Sequence, residues 1–463
     1  YDLIDKYNVP IPRYTSYPTV PFWKDNMTEI NDWTSLIHKS ISTHKTKEGI
    51  SIYIHLPFCE QLCTYCGCNK RITKNHSVEE KYIDALLKEW EIYKRIFNQP
   101  IVIRELHLGG GTPTFFSPEN LTYFLTSLFK EVDIHPKHEF SFEGHPNNTT
   151  QKHLQALYDL GFRRVSFGVQ DMDIKVQIAI NRIQPFEKTK QVTQWAREIG
   201  YESINFDLIY GLPFQTITSI QKTIEDVITL MPDRIAFYSY AHVPWTKKSQ
   251  RAYDENDLPK GKEKYLLYEM GKNLFLQNGY ADIGMDHFAL KNDALLIAKK
   301  NETLHRNFMG YTTTNTEVLI GLGVSAISDV FYGFRQNVKT VEEYYEAIAN
   351  QVLPIYKGID VSEEDIIYRF YLLFNFNNFS KHILNIACKG KTNWQQEFVL
   401  TDEMKNKLSS LQNDGIILWM NNQLEVTNLG WSFLRNICAV FDKKMNDAEK
   451  PQDGDLPKFS QAI

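Results

Sequence analysis

Four of the six cysteines in this 463-residue chain fall within ten residues, in HLPFCEQLCTYCGCNK, at Cys59, Cys63, Cys66 and Cys68. Three residues separate the first pair and two the second. Thiolates are soft ligands that suit iron–sulfur clusters or zinc, and a cubane takes one ligand per iron. Three close cysteines leave one iron free to chelate a small molecule, whereas zinc would need Cys68 as a fourth thiolate. Structural zinc sites usually draw ligand pairs from separated segments, and the single residue between Cys66 and Cys68 strains a tetrahedral arrangement. The spacing therefore points to a [4Fe-4S] cluster on Cys59, Cys63 and Cys66. The other two cysteines, Cys388 and Cys438, lie in apolar surroundings and read as buried small hydrophobes.

A second constellation sits where further candidate strands end. LHLGGGTPTFF places Gly109, Gly110 and Gly111 after one of them, and glycines there let backbone approach a ligand closely; alone, GGGTP serves as well for a tight turn. Glu143, Gln170, Asp207 and Ala241 fall at the C-terminal ends of others, the end where barrel enzymes gather their sites. A carboxylate there can hold an ammonium or a ribose diol, though each residue singly also reads as a polar group capping a loop. Arg182, in INRIQ, could grip a carboxylate through its planar fork or stand at a solvated helix start.

The elements that must position these residues recur between about 50 and 290. Strands are predicted at SIYIHLPF (51–58), IRELHLGGG (103–111), EFSFEGHP (139–146), RRVSFGVQ (163–170), SINFDLIYGLP (203–213) and RIAFYSYAH (234–242), with amphipathic stretches such as VEEKYIDALLKEWEIY between them. This is the βα alternation of a parallel α/β fold. Six units are short of the eight of a closed barrel and predict an incomplete (β/α)6-type, TIM-like barrel with a lateral opening for a bulky substrate. Residues 1–49 read as a proline-rich arm and a helix packing on this core. Residues 291–359 read as a core extension completing the active site, and 360–463 as a mainly helical, winged-helix-like C-terminal domain. In DGIILWMNNQLEVTNLGWSFLRNI two alternating strands meet at Asn421-Asn422 before a helix that lacks basic recognition residues, so a packing or lid role is expected.

A chain that is 43% hydrophobic and this long buries a large core. Its net charge of −5, without blocks of like charge, gives no case for nucleic acid or an anionic membrane as partner. It contains no apolar run long enough to span a bilayer. YDLIDKYNVPIPRYTSYP lacks the basic start and apolar stretch of a signal peptide, and a cytoplasmic location is expected. The first residue is not Met, so a short leader could precede it. No solenoid repeat or low-complexity segment is evident.

The Cys-x3-Cys-x2-Cys spacing resembles the signature of the radical S-adenosylmethionine (SAM) superfamily. Across nearly the whole chain the sequence is similar to the oxygen-independent coproporphyrinogen III dehydrogenase family of haem biosynthesis, in PRYTSYPT (12–19), YIHLPFCEQLCTYCGCNK (53–70), LHLGGGTPTF (106–115), RRVSFGVQD (163–171), DLIYGLPFQ (207–215), IGMDHFA (283–289), LHRNFMGYTT (304–313), GLGVSAIS (321–328) and RNICAVFD. The resemblance implies two SAM molecules per site. Tyr53, Gly110 and Glu143 would hold the one on the cluster; Tyr65, Gly111, Thr112, Gln170, Arg182, Asp207, Ala241 and Ile327 would hold the second. Tyr65 replaces the family's usual Phe, and GHPNN after Glu143 departs from the expected Asp-Pro-Arg. The implied reaction decarboxylates two propionates of coproporphyrinogen III to vinyl groups, giving protoporphyrinogen IX, with a donor such as flavodoxin or ferredoxin and a monomeric protein. Arg13, His305, Arg306 and Asn307 are candidates for holding propionates, and His305 reads equally as a structural hydrogen-bonder. Two alternatives belong to other classes: a haem-binding chaperone, whose relatives typically lack the second cysteine of Cys66-Gly67-Cys68 and the PRYTSYP arm, and a radical SAM methyltransferase acting on haem.

Overall fold

A computed structural model describes residues 2–27, 30–314, 316–378, 400–420 and 423–448. Cys388 and the Asn421-Asn422 turn lie outside the described residues. One thirteen-stranded sheet organises the chain. Its strands in chain order are β1 (Lys24–Asp25), β2 (Ile50–Leu56), β3 (Val102–Gly110), β4 (Asp133–Gly144), β5 (Phe162–Gln170), β6 (Ser203–Tyr210), β7 (Arg234–Ser239), β8 (Tyr280–Gly284), β9 (His287–Leu290), β10 (Leu319–Leu322), β11 (Ile327–Asp329), β12 (Gly333–Asn337) and β13 (Ile355–Asp360). Their spatial order is β1-β13-β12-β11-β10-β2-β3-β4-β5-β6-β7-β9-β8. The run from β10 to β7 is parallel throughout. Antiparallel strands extend it at both ends, so the sheet has two edges and does not close on itself. The incomplete α/β barrel expected from the sequence is what forms, with β10 as a further parallel strand beside β2.

The six predicted strands are those of the barrel: β2 is almost wholly buried, while β3 to β6 alternate core residues such as Leu106, Phe142, Phe167 and Phe206 with polar ones such as His107, Glu143, Ser166 and Asp207. In β2 every residue but Tyr53 is buried. Between them run the helices α1 (Val78–Phe97), α2 (Pro118–Leu128), α3 (Gln151–Asp159), α4 (Phe186–Ile199) and α5 (Ile217–Thr229), followed after β7 by α6 (Gly261–Gln277). Local signals set their ends. Ser117 accepts from Asn120 N ahead of Pro118, Thr150 and His153 form a capping box, and Gly200, at φ +114°, ends α4 in the left-handed region. The apolar faces of these helices meet the sheet in one large core including Ile52, Leu106, Phe142, Phe167, Phe206 and Phe237.

Segment 291–359 supplies β10 to β13 and thus continues the sheet past β2. The helix Ile30–Ser42 packs Trp33 and Ile37 into the main core. Ile11, Tyr14 and Tyr17 of the arm instead share a separate core with Met404, Leu408, Ile417, Phe433 and Cys438. The C-terminal region contains a helix, Asp402–Asn413, an antiparallel pair, Ile417–Met420 with Gln423–Val426, and a further helix, Leu434–Val440. Cys438 is buried, as expected. Among the described residues no helix is long and apolar enough to cross a membrane.

Candidate active site

The cysteine loop leaves β2 at its C-terminal end and is fastened on several sides. Phe58–Cys59 pairs in parallel with Arg71–Ile72, so Arg71 N donates to Pro57 O at 2.8 Å and Thr73 N to Cys59 O at 2.9 Å. On the opposite flank Thr64 N donates to Ile180 O at 3.0 Å, and Asn181 Nδ2 donates to Leu62 O at 2.8 Å. Cys59 and Cys63 are buried and Cys66 is half-buried, while Cys68 is exposed. Burial pushes the Cys59 thiol up to about 11, opposed by its 3.3 Å hydrogen bond with Thr112 Oγ1. Cys66 is shifted down, first because it accepts a hydrogen bond from Cys68 and then because of the Lys70 charge.

Among the described residues no three Cys, His, Asp or Glu side chains close around a point fit for one ion. A cubane presents separate irons to separate thiolates, and three thiolates carried on one loop are a donor set that fits an iron–sulfur cluster.

The glycine run passes close beside the loop. Gly111 N donates to Leu56 O at 2.8 Å, and a Cβ on Gly111 would come within 2.5 Å of Pro57 O and 3.0 Å of Cys59 Sγ. Gly110 has φ +115°, and a Cβ on Gly109 would sit 3.1 Å from Glu143 Oε1. These contacts leave no room for side chains, so the functional reading of the glycines carries a structural requirement with it.

Sheet register then sets a polar layer across the barrel. Tyr53 pairs with His107, His107 with Ser141, Glu143 with Ser166 and Gly168 with Asp207. His107 Nδ1 meets Ser141 Oγ at 2.8 Å, and its Nε2 lies 3.4 Å from Glu143 Oε1. Tyr53 stacks near His107, with centroids 6.1 Å apart, and its hydroxyl meets His55 Nδ1 at 3.1 Å. The Glu143 side chain remains 44% exposed, open to receive a cationic group. Asp207 accepts from Ser166 Oγ at 3.0 Å and Asn205 Nδ2 at 2.8 Å. Burial, then the charge of Glu143, raises it to about 7. Glu143, Asp207, His107 and Tyr238 line one cavity of about 140 Å³ inside the barrel.

The remaining site candidates surround this layer. Gln170 closes β5 at φ +66°, and among the described residues its Oε1 and the Arg182 Nε are buried without a hydrogen-bond partner. Arg182 Nη2 donates to Gly168 O at 2.5 Å, and Nη1 lies 3.7 Å from Cys63 Sγ. Such orphaned groups beside the cluster ligands suit a polar ligand. Ile327 opens β11; its carbonyl would meet a Cβ on Gly321, which pairs with Tyr53. Tyr65 and Ala241 are joined by a residue without a sequence signal: buried Gln250 donates to Tyr65 O at 3.0 Å and to Ala241 O at 3.2 Å.

A family model described as Radical SAM superfamily matches residues 53–227. The oxygen-independent coproporphyrinogen III oxidase of Synechocystis sp. is 36% identical over 100% of this chain and 97% of its own length. That of Helicobacter pylori (strain J99) is 37% identical over 97% of this chain and 98% of its own. A solved structure of coproporphyrinogen III oxidase from Escherichia coli, described as a radical SAM enzyme, superposes with a TM-score of 0.86 at 34% identity, covering 93% of this chain and 97% of that one.

The chain belongs to the oxygen-independent coproporphyrinogen III oxidase family. As a radical SAM enzyme it uses a [4Fe-4S] cluster and SAM. In this member of the coproporphyrinogen III oxidase family two sequence expectations take a different form, those for Asp207 and Arg182. Asp207 lies three residues short of the end of β6 and Tyr53 three short of the end of β2, so the polar layer reaches into the barrel below its rim. Arg182 is only 8% exposed, which removes the solvated helix start as its reading. Asn307 Oδ1 accepts from Met309 N at 2.8 Å within its hairpin turn. After Glu143, the GHPNN departure forms an ordered turn in which Asn148 N and Thr149 N both donate to His145 O at 2.9 Å.

Proposed function

We propose that this chain converts two propionates of coproporphyrinogen III to vinyl groups, giving protoporphyrinogen IX, each conversion passing one hydrogen atom to the adenosyl group of SAM and one electron to an external one-electron acceptor as carbon dioxide leaves. The observation that supports it most is full-length likeness to coproporphyrinogen III oxidases combined with the three-cysteine loop beside Glu143 and Asp207. Cys59, Cys63 and Cys66 hold the cluster. When bound, the cluster and SAM supply a one-electron reduction that initiates hydrogen-atom abstraction from an unactivated carbon.

The chain's own groups position and shield. Glu143 offers its open carboxylate to the methionine ammonium, with Tyr53 and Gly110 on either side. Thr112 donates to the sulfur of Cys59 and sets its direction. Asp207, with one bond to each oxygen from Ser166 and Asn205, retains lone pairs for ribose hydroxyls. A second SAM is assigned to Tyr65, Gly111, Thr112, Gln170, Arg182, Asp207, Ala241 and Ile327, among which the buried Gln170 Oε1 and Arg182 Nε gain partners. Gln250 keeps Tyr65 and Ala241 at fixed separation. Residues 50–290 act as the catalytic barrel, 291–359 complete it, 1–49 pack on it as an arm and helix, and 360–463 form the C-terminal helical, winged-helix-like domain. We assign electron delivery to a flavodoxin or ferredoxin, the location to the cytoplasm and the working form to a monomer.

The test is an anaerobic assay of the reconstituted protein with SAM, a strong reductant and coproporphyrinogen III, following 5′-deoxyadenosine and vinyl-bearing porphyrin together. Both are expected. Deoxyadenosine without vinyl product would discard the substrate, and neither product from protein with full iron content would sink the reading.

A further inference from the structure

The short helix that follows β5, Ile174–Ala179, is apolar on both of its faces. On one face Val176, with Ile180 just past the helix end, packs into a small core with Leu212 and Tyr240, and Tyr65 of the cysteine loop leans against that core. On the other, Ile174 and Ile178 stand one turn apart, and with nearby Ile183 they are 58%, 61% and 53% exposed. A helix that only had to cover the barrel would carry polar residues there. Leu62, the residue before Cys63, is exposed as well. Single surface hydrophobics are ordinary, but a group of them joined to one functional loop marks an interaction face.

Hydrogen bonds make the loop and this helix one surface. Asn181 accepts from Gln61 Nε2 through its carbonyl at 3.0 Å and through Oδ1 at 3.1 Å, and its Nδ2 donates to Leu62 O. Thr64 Oγ1 donates to Ala179 O at 3.1 Å, and Asn147 Nδ2 donates to Ile183 O at 2.9 Å. The apolar side chains are thus carried on a fixed backbone, which lowers the ordering cost of association. The charges around them favour one sign, in a chain whose net charge is −5. Lys175, exposed between Ile174 and Ile178, lies over the Phe214 ring at 4.6 Å. Across the loop, Lys74 is exposed and Lys70 Nζ donates to Cys66 O at 2.9 Å. The neighbouring carboxylates are engaged: Glu60 with His76 at 3.1 Å, Glu342 with Arg71 at 2.8 Å, and Asp173 with the amides of Lys175 and Val176. An apolar centre beside lysines suits an acidic partner.

We propose that Leu62, Ile174, Ile178 and Ile183, with Lys70, Lys74 and Lys175 around them, form the docking face for a small acidic protein that carries one electron at a centre near its own surface. The proposal rests on the functional reading above, which requires an electron from outside for each SAM cleaved. One electron leaves the carrier's reduced centre, which is oxidised, and enters the cluster, which is reduced; the electron alone crosses the interface. Electron transfer weakens steeply with distance, and Leu62 is bonded directly to the ligand Cys63, so a carrier seated here faces the cluster by a short route. The patch is small, as suits a carrier that must leave after each delivery.

The test compares full-length, reconstituted wild type with Ile178→Glu, Lys175→Glu and, as a control, Ile297→Glu, an exposed apolar position on the helix Ala294–Lys300. Flavodoxin, an acidic one-electron carrier, is the probe. One readout is its binding to each protein by calorimetry at low and high salt; the other is turnover driven by reduced flavodoxin or by dithionite, a small reductant that needs no docking face. Wild type should bind flavodoxin more weakly as salt rises. Ile178→Glu and Lys175→Glu should each weaken binding, and raise the flavodoxin needed for half-maximal turnover, about tenfold or more. Their dithionite-driven turnover should match wild type, and Ile297→Glu should behave as wild type in both readouts. Flavodoxin binding and dependence unchanged in folded Ile178→Glu and Lys175→Glu, or no binding by wild type, would overturn the docking face. So would an equal fall with both reductants, which marks a structural role, or a wild-type dimer that Ile178→Glu converts to a monomer, which gives the face to a second copy. No turnover of coproporphyrinogen III by wild type with dithionite would sink the functional reading, while flavodoxin binding, read without turnover, would still decide the docking face.

Discussion

At Cys59 the fold itself directs the sulfur: the strand pairing with Arg71–Ile72, the Thr112 hydroxyl and the close pass of Gly111 fix it from three sides. Folding the loop thus already meets part of the ordering cost of cluster assembly. Cys59→Ala should leave the fold intact yet abolish the reconstituted cluster's colour and turnover, as iron analysis and visible absorbance would read; a full iron complement would refute the ligand assignment. Asp207 makes a different prediction, about protons. Its folded-state pKa of about 7 stands above the ordinary 3.8 because of burial first and Glu143 second. Between about pH 4 and 7 the folded chain therefore holds a proton that the unfolded chain has released. That contribution to stability is fully present below pH 4 and is lost as pH rises through 7. Asp207→Asn should flatten this loss and leave the cluster-free protein about 1–2 kcal/mol more stable than wild type at pH 8, with the difference vanishing near pH 4. Melting temperatures of both proteins at the two pH values check it. The same variant should need more SAM for half-maximal turnover, because an amide cannot accept both ribose hydroxyl bonds as a carboxylate does.

At the scale of elements, Glu89 shows how the extension of the sheet is joined to the barrel. It lies fully buried on α1 and accepts from Gly323 N at 2.8 Å, Asn337 Nδ2 at 2.7 Å and the Tyr344 hydroxyl at 2.6 Å. It therefore ties a barrel helix to the turn after β10, to β12 and to the helix Val341–Ala349. Glu89→Ala leaves those three groups without their buried acceptor and should cost about 3 kcal/mol or more. Glu89→Gln, which retains one acceptor oxygen and the shape, should cost less, and denaturant unfolding of the two variants distinguishes them. This junction also marks where sequence reading runs out. The six barrel strands were legible because each is a short apolar or alternating run followed by a polar loop and an amphipathic stretch. The strands β10 to β13 are three to six residues long, and GLGVSAIS carries too few side chains to show a period. The cysteines and the glycine run were legible from type and spacing alone. Gln250 was not, because nothing local distinguishes a surface glutamine from one that a distant segment encloses. The depth of Asp207 was likewise hidden, since a strand's last hydrogen bond is set by its neighbours rather than by its own residues.

For the whole molecule the consequence lies in which parts share a core. The first seventeen residues and those beyond 400 are far apart in sequence, yet Ile11, Tyr14 and Tyr17 pack with Leu408, Phe433 and Cys438 as one unit distinct from the barrel's own core. Tyr14, 1% exposed, anchors that unit by donating to Asp442 at 3.0 Å. Asp442 is itself buried and raised to about 6, chiefly by burial. Tyr17 adds a second tie, accepting from Lys444 N at 3.3 Å. A core of this size, separate from the larger one, should open at lower free energy than the barrel. Tyr14→Phe keeps the ring but withdraws the hydroxyl from a buried carboxyl, at a cost of about 1–3 kcal/mol. That cost should fall on the arm and C-terminal unit and leave the barrel and its iron in place. Limited proteolysis over a temperature series, read by mass spectrometry, should show cleavage in residues 1–20 and beyond 400 at temperatures where wild type resists, while iron content holds. If arm, C-terminal region and barrel instead became protease-sensitive together, the two cores would be one cooperative unit, and the division between a rigid barrel and a separable second core would be wrong.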